Sequence, residues 1–189
     1  MWLLIHNSLY KLSPMERPGR AKDYVKRMMY LFEMEELTII RTARRKDFNR
    51  LVELENICFP KEHAYNRRQI RYLLTEANSS VLVESQDSHI RGFIIILYRK
   101  GTMVAGIETI NVDPAYRRAG IGNRLLKTAE NIAKKKGIGT LRLEVAVTNH
   151  AAINLYEKAG FTKVKLLKDY YYFDHKGSRD GYRMIKYLD

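Results

Sequence analysis

Apolar positions recur along this chain with two periods, and the switches between them mark its elements. Alternating or continuous β-branched and aromatic runs predict strands over residues 37–43, 80–84, 91–99, 103–112, 140–147, 161–167 and 182–188. Spacing of three and four predicts helices. Phe48, Leu51, Val52, Leu54 and Ile57 share one face of a helix over 47–58, closed by Pro60. A second helix covers 67–77, after a polar loop at 61–66. Ile121, Leu125, Leu126, Ala129, Ile132 and Ala133 line a long helix over 121–136, stopped by Gly137. A fourth helix covers 149–159 and is stopped by Gly160. Residues 86–88 read as a turn, and a tyrosine-rich loop separates the last two strands.

The predicted order is strand, two helices, three strands, helix, strand, helix, two strands. A strand–helix–strand unit at 103–147 demands a parallel pair inside a mixed sheet. The fold class is therefore α/β, a mixed sheet of about seven strands flanked by about four helices. Residues 1–36 stand apart from this pattern. Pro14, Pro18 and Gly19 break their first part, and a helical stretch with Val25, Met28, Met29 and Phe32 near one face follows. This segment is an N-terminal extension, a helical arm or a disordered tail, before a domain over 37–189.

Where the fourth strand meets the long helix, the chain reads Asn111-Val112-Asp113-Pro114-Ala115-Tyr116-Arg117-Arg118-Ala119-Gly120-Ile121-Gly122. A helix N-terminus offers unpaired N–H groups and the positive end of the macrodipole, and glycine lets a ligand approach that backbone closely. With two arginines at the entrance, this is the local physics of a phosphate cradle. A dinucleotide fingerprint would need a third glycine at position 125, where Leu125 stands, and a P-loop would need a closing Gly-Lys-Ser/Thr.

Composition sharpens the picture modestly. The net charge of +13 suits an anionic ligand or an acidic partner, or is a solvated basic surface. The run Lys134-Lys135-Lys136 ends a helix, where cations suit the dipole, and reads as a solvated face, so a nucleic-acid partner is not expected. Cys58 is the only cysteine, which excludes an intrachain disulfide and fits a reducing, cytoplasmic setting; its apolar flanks mark a small buried hydrophobe. No apolar run has the length of a membrane span, and none of the five histidines shows metal-ligand spacing with cysteine or carboxylates, so neither a membrane nor a metal is expected.

Two motifs together identify a family likeness. Arg117-x-x-Gly120-x-Gly122, entered through Val112-Asp113-Pro114 and followed by Leu125-Leu126, resembles the acyl-CoA signature of the GCN5-related N-acetyltransferases (GNAT). Downstream, Leu143-Glu144-Val145-x-x-Thr148-Asn149 ends a strand, and Ala151-Ala152-Ile153-x-Leu155-Tyr156-Glu157-Lys158-x-Gly160-Phe161 forms the next helix. With Tyr170-Tyr171 and Asp180-Gly181-Tyr182-x-Met184, these resemble the ribosomal-protein alanine acetyltransferases and the related archaeal N-terminal acetyltransferases, over about residues 37–188. Two positions depart from the pattern. Ala146 stands where the subgroup usually has arginine, and Gly106 stands where several archaeal relatives carry histidine.

The resemblance implies acetyl transfer from acetyl-CoA to a protein or peptide α-amine by direct attack, with no metal. It places Glu144 as the base, Tyr156 as the acid and a CoA contact, and Asn149 as a further CoA contact that also caps its helix. Glu108 is a second base or amine-binding group, because a carboxylate inside an apolar strand is costly unless paired or functional. Backbone groups of Ile110, Asn111 and Val112 would bind the pantetheine arm as an added strand would. Arg117, Arg118, Ala119, Gly120, Ile121, Gly122 and Asn123 would hold the pyrophosphate. Phe59, Pro60, Tyr65, Tyr170 and Tyr171 would line the substrate slot. The implied partners are protein N-termini, including ribosomal proteins or nascent chains, for a monomer or homodimer. Two alternatives stay open at this point: a GNAT acting on a lysine side chain or small-molecule amine, and a non-catalytic module binding CoA, RNA or the ribosome.

Overall fold

The computed structural model describes residues 38–188. The expected N-terminal extension lies outside the described residues. Strand β1 (Thr38–Thr42) leads through a short 3-10 turn into helices α1 (Phe48–Cys58) and α2 (Arg67–Thr75). Strands β2 (Ser79–Gln86), β3 (His89–Tyr98) and β4 (Val104–Val112) follow, then α3 (Ile121–Lys135), β5 (Thr140–Ala146), α4 (His150–Lys158), β6 (Thr162–Leu167) and β7 (Gly181–Tyr187). The seven described strands form one sheet in the order β1-β2-β3-β4-β5-β7-β6. The hairpin β2–β3 runs further than its hydrophobic pattern indicates. Asp87 and Ser88 both adopt positive φ (49° and 66°), which suits a two-residue hairpin turn.

Each sheet face buries its own core. On one face, Leu82, Ile94, Ile96, Ala105, Ile107, Leu141, Leu143, Val145 and Met184 pack against Ile121, Leu125, Leu126 and Ala129 of α3 and Ile153 and Tyr156 of α4. On the other, Val81, Val83, Phe93 and Ile95 pack against Leu51, Val52 and Leu54 of α1 and Ile70 and Leu73 of α2. Covering both faces explains the continuous apolar run of β3. The helix stops are read correctly from the sequence: Gly137 and Gly160 both take positive φ (71° and 88°), the left-handed geometry that ends a helix.

Three irregularities position the chemistry. The parallel pairing of β4 with β5 covers only Val104–Gly106 against Thr140–Arg142, so the two strands part beyond it. The β3–β4 register jumps from Ile95↔Thr109 to Ile96↔Ile107, leaving Glu108 as the extra residue of a bulge. The bulge switches sides: Ala105 and Ile107 face α3 before it, whereas Ile110 and Val112 do so after it. In β2–β3 the register jumps from Glu84↔Gly92 to Ser85↔Ile90, which makes Arg91 a bulge residue as well.

Candidate active site

The turn from β4 into α3 is held from several sides. Asp113 accepts hydrogen bonds from Ala115 N–H (3.0 Å) and from Arg50 (2.6 Å), and its own N–H donates to Arg91 O (2.8 Å). Burial pushes the Asp113 carboxyl up, but the Ala115 and Arg50 bonds outweigh it and hold the group below the usual range. Arg118 and Gly120 both adopt left-handed φ (69° and 76°). Such alternation turns successive N–H groups toward one concavity. The first bond of α3 runs from Arg124 N–H to Gly120 O (3.1 Å), so the N–H groups of Ile121, Gly122 and Asn123 have no intrahelical partner. Gly120 suits its left-handed φ, and a Cβ there would lie 3.2 Å from the Arg124 guanidinium. At Gly122 a Cβ would lie 3.1 Å from Leu155, so this glycine lets α4 approach α3. Arg117 donates to Val112 O (3.4 Å), and the Cys58 thiol shares that acceptor at the same distance. Cys58 is thus half-buried beside the cradle, not inside the core as its apolar flanks indicate. The donor set, all N–H groups and guanidinium, fits a pyrophosphate.

Beyond Gly106 and Arg142, β4 and β5 open into a wedge. The edge of β4 from Ile107 to Val112 has no β5 partner among the described residues, which leaves Ile110, Asn111 and Val112 backbone on that edge. The Asn111 side chain itself points elsewhere. It is buried, and its Nδ2 donates to Glu55 (2.8 Å) and Thr109 (3.0 Å).

Two carboxylates stand on the diverging strands. Glu108 is exposed at its bulge, and its Oε2 accepts a hydrogen bond from the Tyr65 hydroxyl (3.1 Å). Its Oε1 overhangs Gly106, where a Cβ would lie 3.3 Å away. No arginine pairs with it among the described residues, contrary to the core-edge salt bridge that would explain it structurally. Glu144 does have such partners. Arg183, its cross-strand neighbour on β7, donates from Nε to Glu144 Oε1 (2.7 Å), and Arg142 ion-pairs with the same oxygen at 3.3 Å without hydrogen-bond geometry. Glu144 Oε2 makes no hydrogen bond among the described residues.

Tyr156 stands on α4, on the side packed against the sheet. It is buried against Phe161, ring centroids 5.8 Å apart, and burial alone pushes its hydroxyl pKa upward. That hydroxyl has no hydrogen-bond partner among the described residues. Asn149 caps α4, its Oδ1 accepting from Ala152 N–H (3.3 Å).

Tyrosines wall the mouth. Tyr170 and Tyr171 meet edge to face at 5.0 Å, over the start of β7 at Gly181. Burial, then the charge of Glu144, raises the Tyr170 pKa, with Glu108 adding to it. Tyr171 is raised by burial and feels Tyr156 and Glu144 together. Burial and Glu108 raise Tyr65 strongly. Phe59 and Pro60 form the exit of α1 and make no hydrogen bond or ring contact with Glu108, Glu144 or Tyr156 among the described residues. Sequence reasoning missed what joins the two loops at the mouth. His63 Nε2 lies 3.0 Å from Asp174 O, its ring is 5.1 Å from that of His175, and His175 in turn contacts Thr148 Oγ1 (3.2 Å). It also missed Glu55, buried beneath the loop, which accepts from Tyr65 N–H (3.0 Å). The Glu55-x-x-Cys58 helical spacing, carrying a carboxylate onto an apolar face, was the available signal.

No group of three or more metal-ligating side chains occurs among the described residues, and no described helix is long and apolar enough to cross a membrane.

Comparison with known proteins places this geometry. A family model described as the acetyltransferase (GNAT) family matches residues 48–161. An N-alpha-acetyltransferase of Sulfurisphaera tokodaii is 31% identical over 151 residues, covering 70% of this chain and 84% of that protein. A [ribosomal protein bS18]-alanine N-acetyltransferase of Haemophilus ducreyi is 30% identical over 156 residues, covering 79% of this chain and all of that protein (100%). Among solved structures, the ribosomal-protein-S18-alanine N-acetyltransferase from Escherichia coli superposes with a TM-score of 0.72 at 26% identity, covering 80% of this chain and 94% of that one. Parting strands, a glycine cradle and this match together make the chain a member of the GNAT family of acetyltransferases.

Proposed function

We propose that this protein acetylates the α-amine of a protein or peptide N-terminus, using acetyl-CoA. The observation that carries the reading is the wedge: two carboxylates on diverging strands, a buried tyrosine on the helix that follows β5, and tyrosines from two loops at the entrance. The names of the relatives, N-alpha-acetyltransferase and ribosomal-protein alanine N-acetyltransferase, point the same way. Ribosomal proteins or nascent chains are therefore the substrates to try first.

Bound acetyl-CoA supplies the activated acyl group and a sulfur leaving group. The N–H groups of Arg118 to Asn123 hold its pyrophosphate, and the free edge of β4 at Ile110 to Val112 holds its arm. An α-amine has a reference pKa of about 7.7–8.0, against about 10.4 for lysine, so only a modest base is needed. Glu108 takes that proton, directly or through water. Its Oε1 carries no hydrogen bond among the described residues, and the chain gives it the space over Gly106 that a larger residue would fill. Glu144, fixed through Oε1 by two arginines, orients the amine with its other oxygen. Arg142 and Arg183 thereby supply the cationic groups that Ala146 does not. Tyr156 donates at the departing sulfur. Burial keeps its phenol protonated, which is the form a donor needs.

Thiol release from acetyl-CoA with free N-terminal peptides tests this, on wild type, Glu108→Gln, Glu144→Gln and Tyr156→Phe. The expected losses in kcat are about 10²-fold or more for Glu108→Gln and Tyr156→Phe, the usual size of a general acid–base contribution. Full activity in all three variants removes these roles. No thiol release with any such peptide removes the function.

A further inference from the structure

A buried ion cluster lies against the loop that forms the cradle. Glu84, on β2, is fully buried, at 0% exposure. It faces α3 on the same side as Leu82, and the bulge at Arg91 swings that guanidinium onto it. Arg91 donates to Glu84 from Nε (3.1 Å) and Nη2 (2.5 Å). A second guanidinium arrives from α3: Arg124 Nη2 donates to Glu84 Oε1 (2.8 Å) while Arg124 Nη1 donates to Ala119 O (2.8 Å). Burial pushes the Glu84 carboxyl up, yet the bonds from the two arginines outweigh it and hold the group ionised.

We infer that Glu84 and Arg124 are positioning residues for the cofactor, acting in series through the Ala119 carbonyl. The inference rests on the reading that the loop from Arg117 to Gly122 holds the pyrophosphate of acetyl-CoA. In a planar trans peptide the C=O and the following N–H point in opposite directions. Pinning Ala119 O inward onto Arg124 therefore aims the Gly120 N–H outward, toward the ligand. Arg124 cannot hold that pose alone, because a guanidinium on an exposed helix turn would otherwise sample solvent. Glu84 holds one nitrogen of the guanidinium fork, Nη2, so that the other, Nη1, stays aimed at Ala119 O. The cost of burying Glu84 is met by two cations, and the second of them is spent on the loop, not on the core.

The test is a double-mutant cycle on Glu84→Gln and Arg124→Ala in the full chain. Readouts are CoA affinity by calorimetry and KM for acetyl-CoA and for peptide. Each single variant is expected to weaken CoA binding and raise its KM about tenfold, the scale of one charge-assisted hydrogen bond. The peptide KM and the kcat at saturating acetyl-CoA should stay within about twofold, since uniform binding is what is lost. The double variant should be no worse than the poorer single one, because the residues act through one contact. Arg124→Lys should fall between wild type and Arg124→Ala. Unchanged CoA affinity in Arg124→Ala, or factors that multiply in the double variant, overturns the brace. Arg124 is partly exposed, so its variants stay informative if Glu84→Gln folds poorly. Gly120→Glu, run alongside, separates the two ideas: normal CoA binding there means that the loop does not hold the phosphates at all.

Discussion

Among the described glycines, Gly92 leaves the least room for a side chain, between β4 and the helix that carries the cradle. A Cβ built on it would lie 2.7 Å from Asn111 O, 3.0 Å from Ile121 Cγ2 and 3.4 Å from Leu125 Cδ1. Ordinary carbon contacts sit at about 3.5–4.0 Å, so Ile121 would have to retreat by half an ångström or more. Asn111 O belongs to the β4 backbone and cannot rotate away. Overpacking of this kind costs about 1–3 kcal/mol, and replacing a strand glycine returns about 0.5–1 kcal/mol of backbone entropy. With a backbone atom as the obstacle the upper range applies, for a net loss in Gly92→Ala of about 2 kcal/mol. For a chain of this size that lowers Tm by about 4–8 °C. Ile121 opens α3, so its retreat also displaces the N–H groups of the cradle, and acetyl-CoA KM should rise several-fold while peptide KM holds. Differential scanning calorimetry and steady-state kinetics read both effects. A Tm within about 1 °C of wild type with unchanged acetyl-CoA KM refutes the reasoning, because it means that α3 has slack against β3.

Tyr65→Phe removes the only hydroxyl on Glu108 among the described residues and should lower kcat about tenfold with free N-terminal peptides, leaving acetyl-CoA KM unchanged; equal kcat would show that the Tyr65–Glu108 bond is idle. His175 has its pKa lowered from 6.5 by burial, then by His63 and Lys176. The unfolded chain therefore binds its proton first, and the contact between the two mouth loops weakens as pH falls below 6.5 toward the folded value. Hydrogen exchange at residues 168–180, corrected for intrinsic rate, should rise over that window and lose its pH dependence in His175→Gln. Glu55 is shifted the other way, its pKa raised by burial from 4.5 despite bonds from Tyr65, Asn111 and Thr109. Wild type should lose stability relative to Glu55→Gln as pH rises from 4.5 through the folded value, as urea unfolding at several pH values would show; a difference independent of pH contradicts it.

The elements were legible because each carries its own period and its own stop. Gly137 and Gly160 end α3 and α4 where the sequence places them, and β4 runs into the cradle as expected. The places of the motif residues were legible too: Glu144 falls on β5, Tyr156 on α4 and Asn149 at the N-cap of α4. What depended on register was not. Alternation along β4 gives no warning that Glu108 is an extra residue, so its exposure and its bond to Tyr65, 43 positions away, come only from the pairing with β3. The place of β7 between β5 and β6 sets Arg183 opposite Glu144 and is a property of the whole sheet. Glu84 and Arg124 look like a strand acid and a helix base in the sequence; only folding brings them to 2.8 Å.

The central claim is that the wedge acetylates an α-amine. It is tested most directly by a single peptide that carries both a free N-terminus and an internal lysine, incubated with acetyl-CoA and mapped by fragment mass spectrometry. The account predicts acetyl on the terminal nitrogen, and no product from the same peptide blocked at that end. Acetyl on the lysine, with the blocked peptide serving equally well, would contradict it.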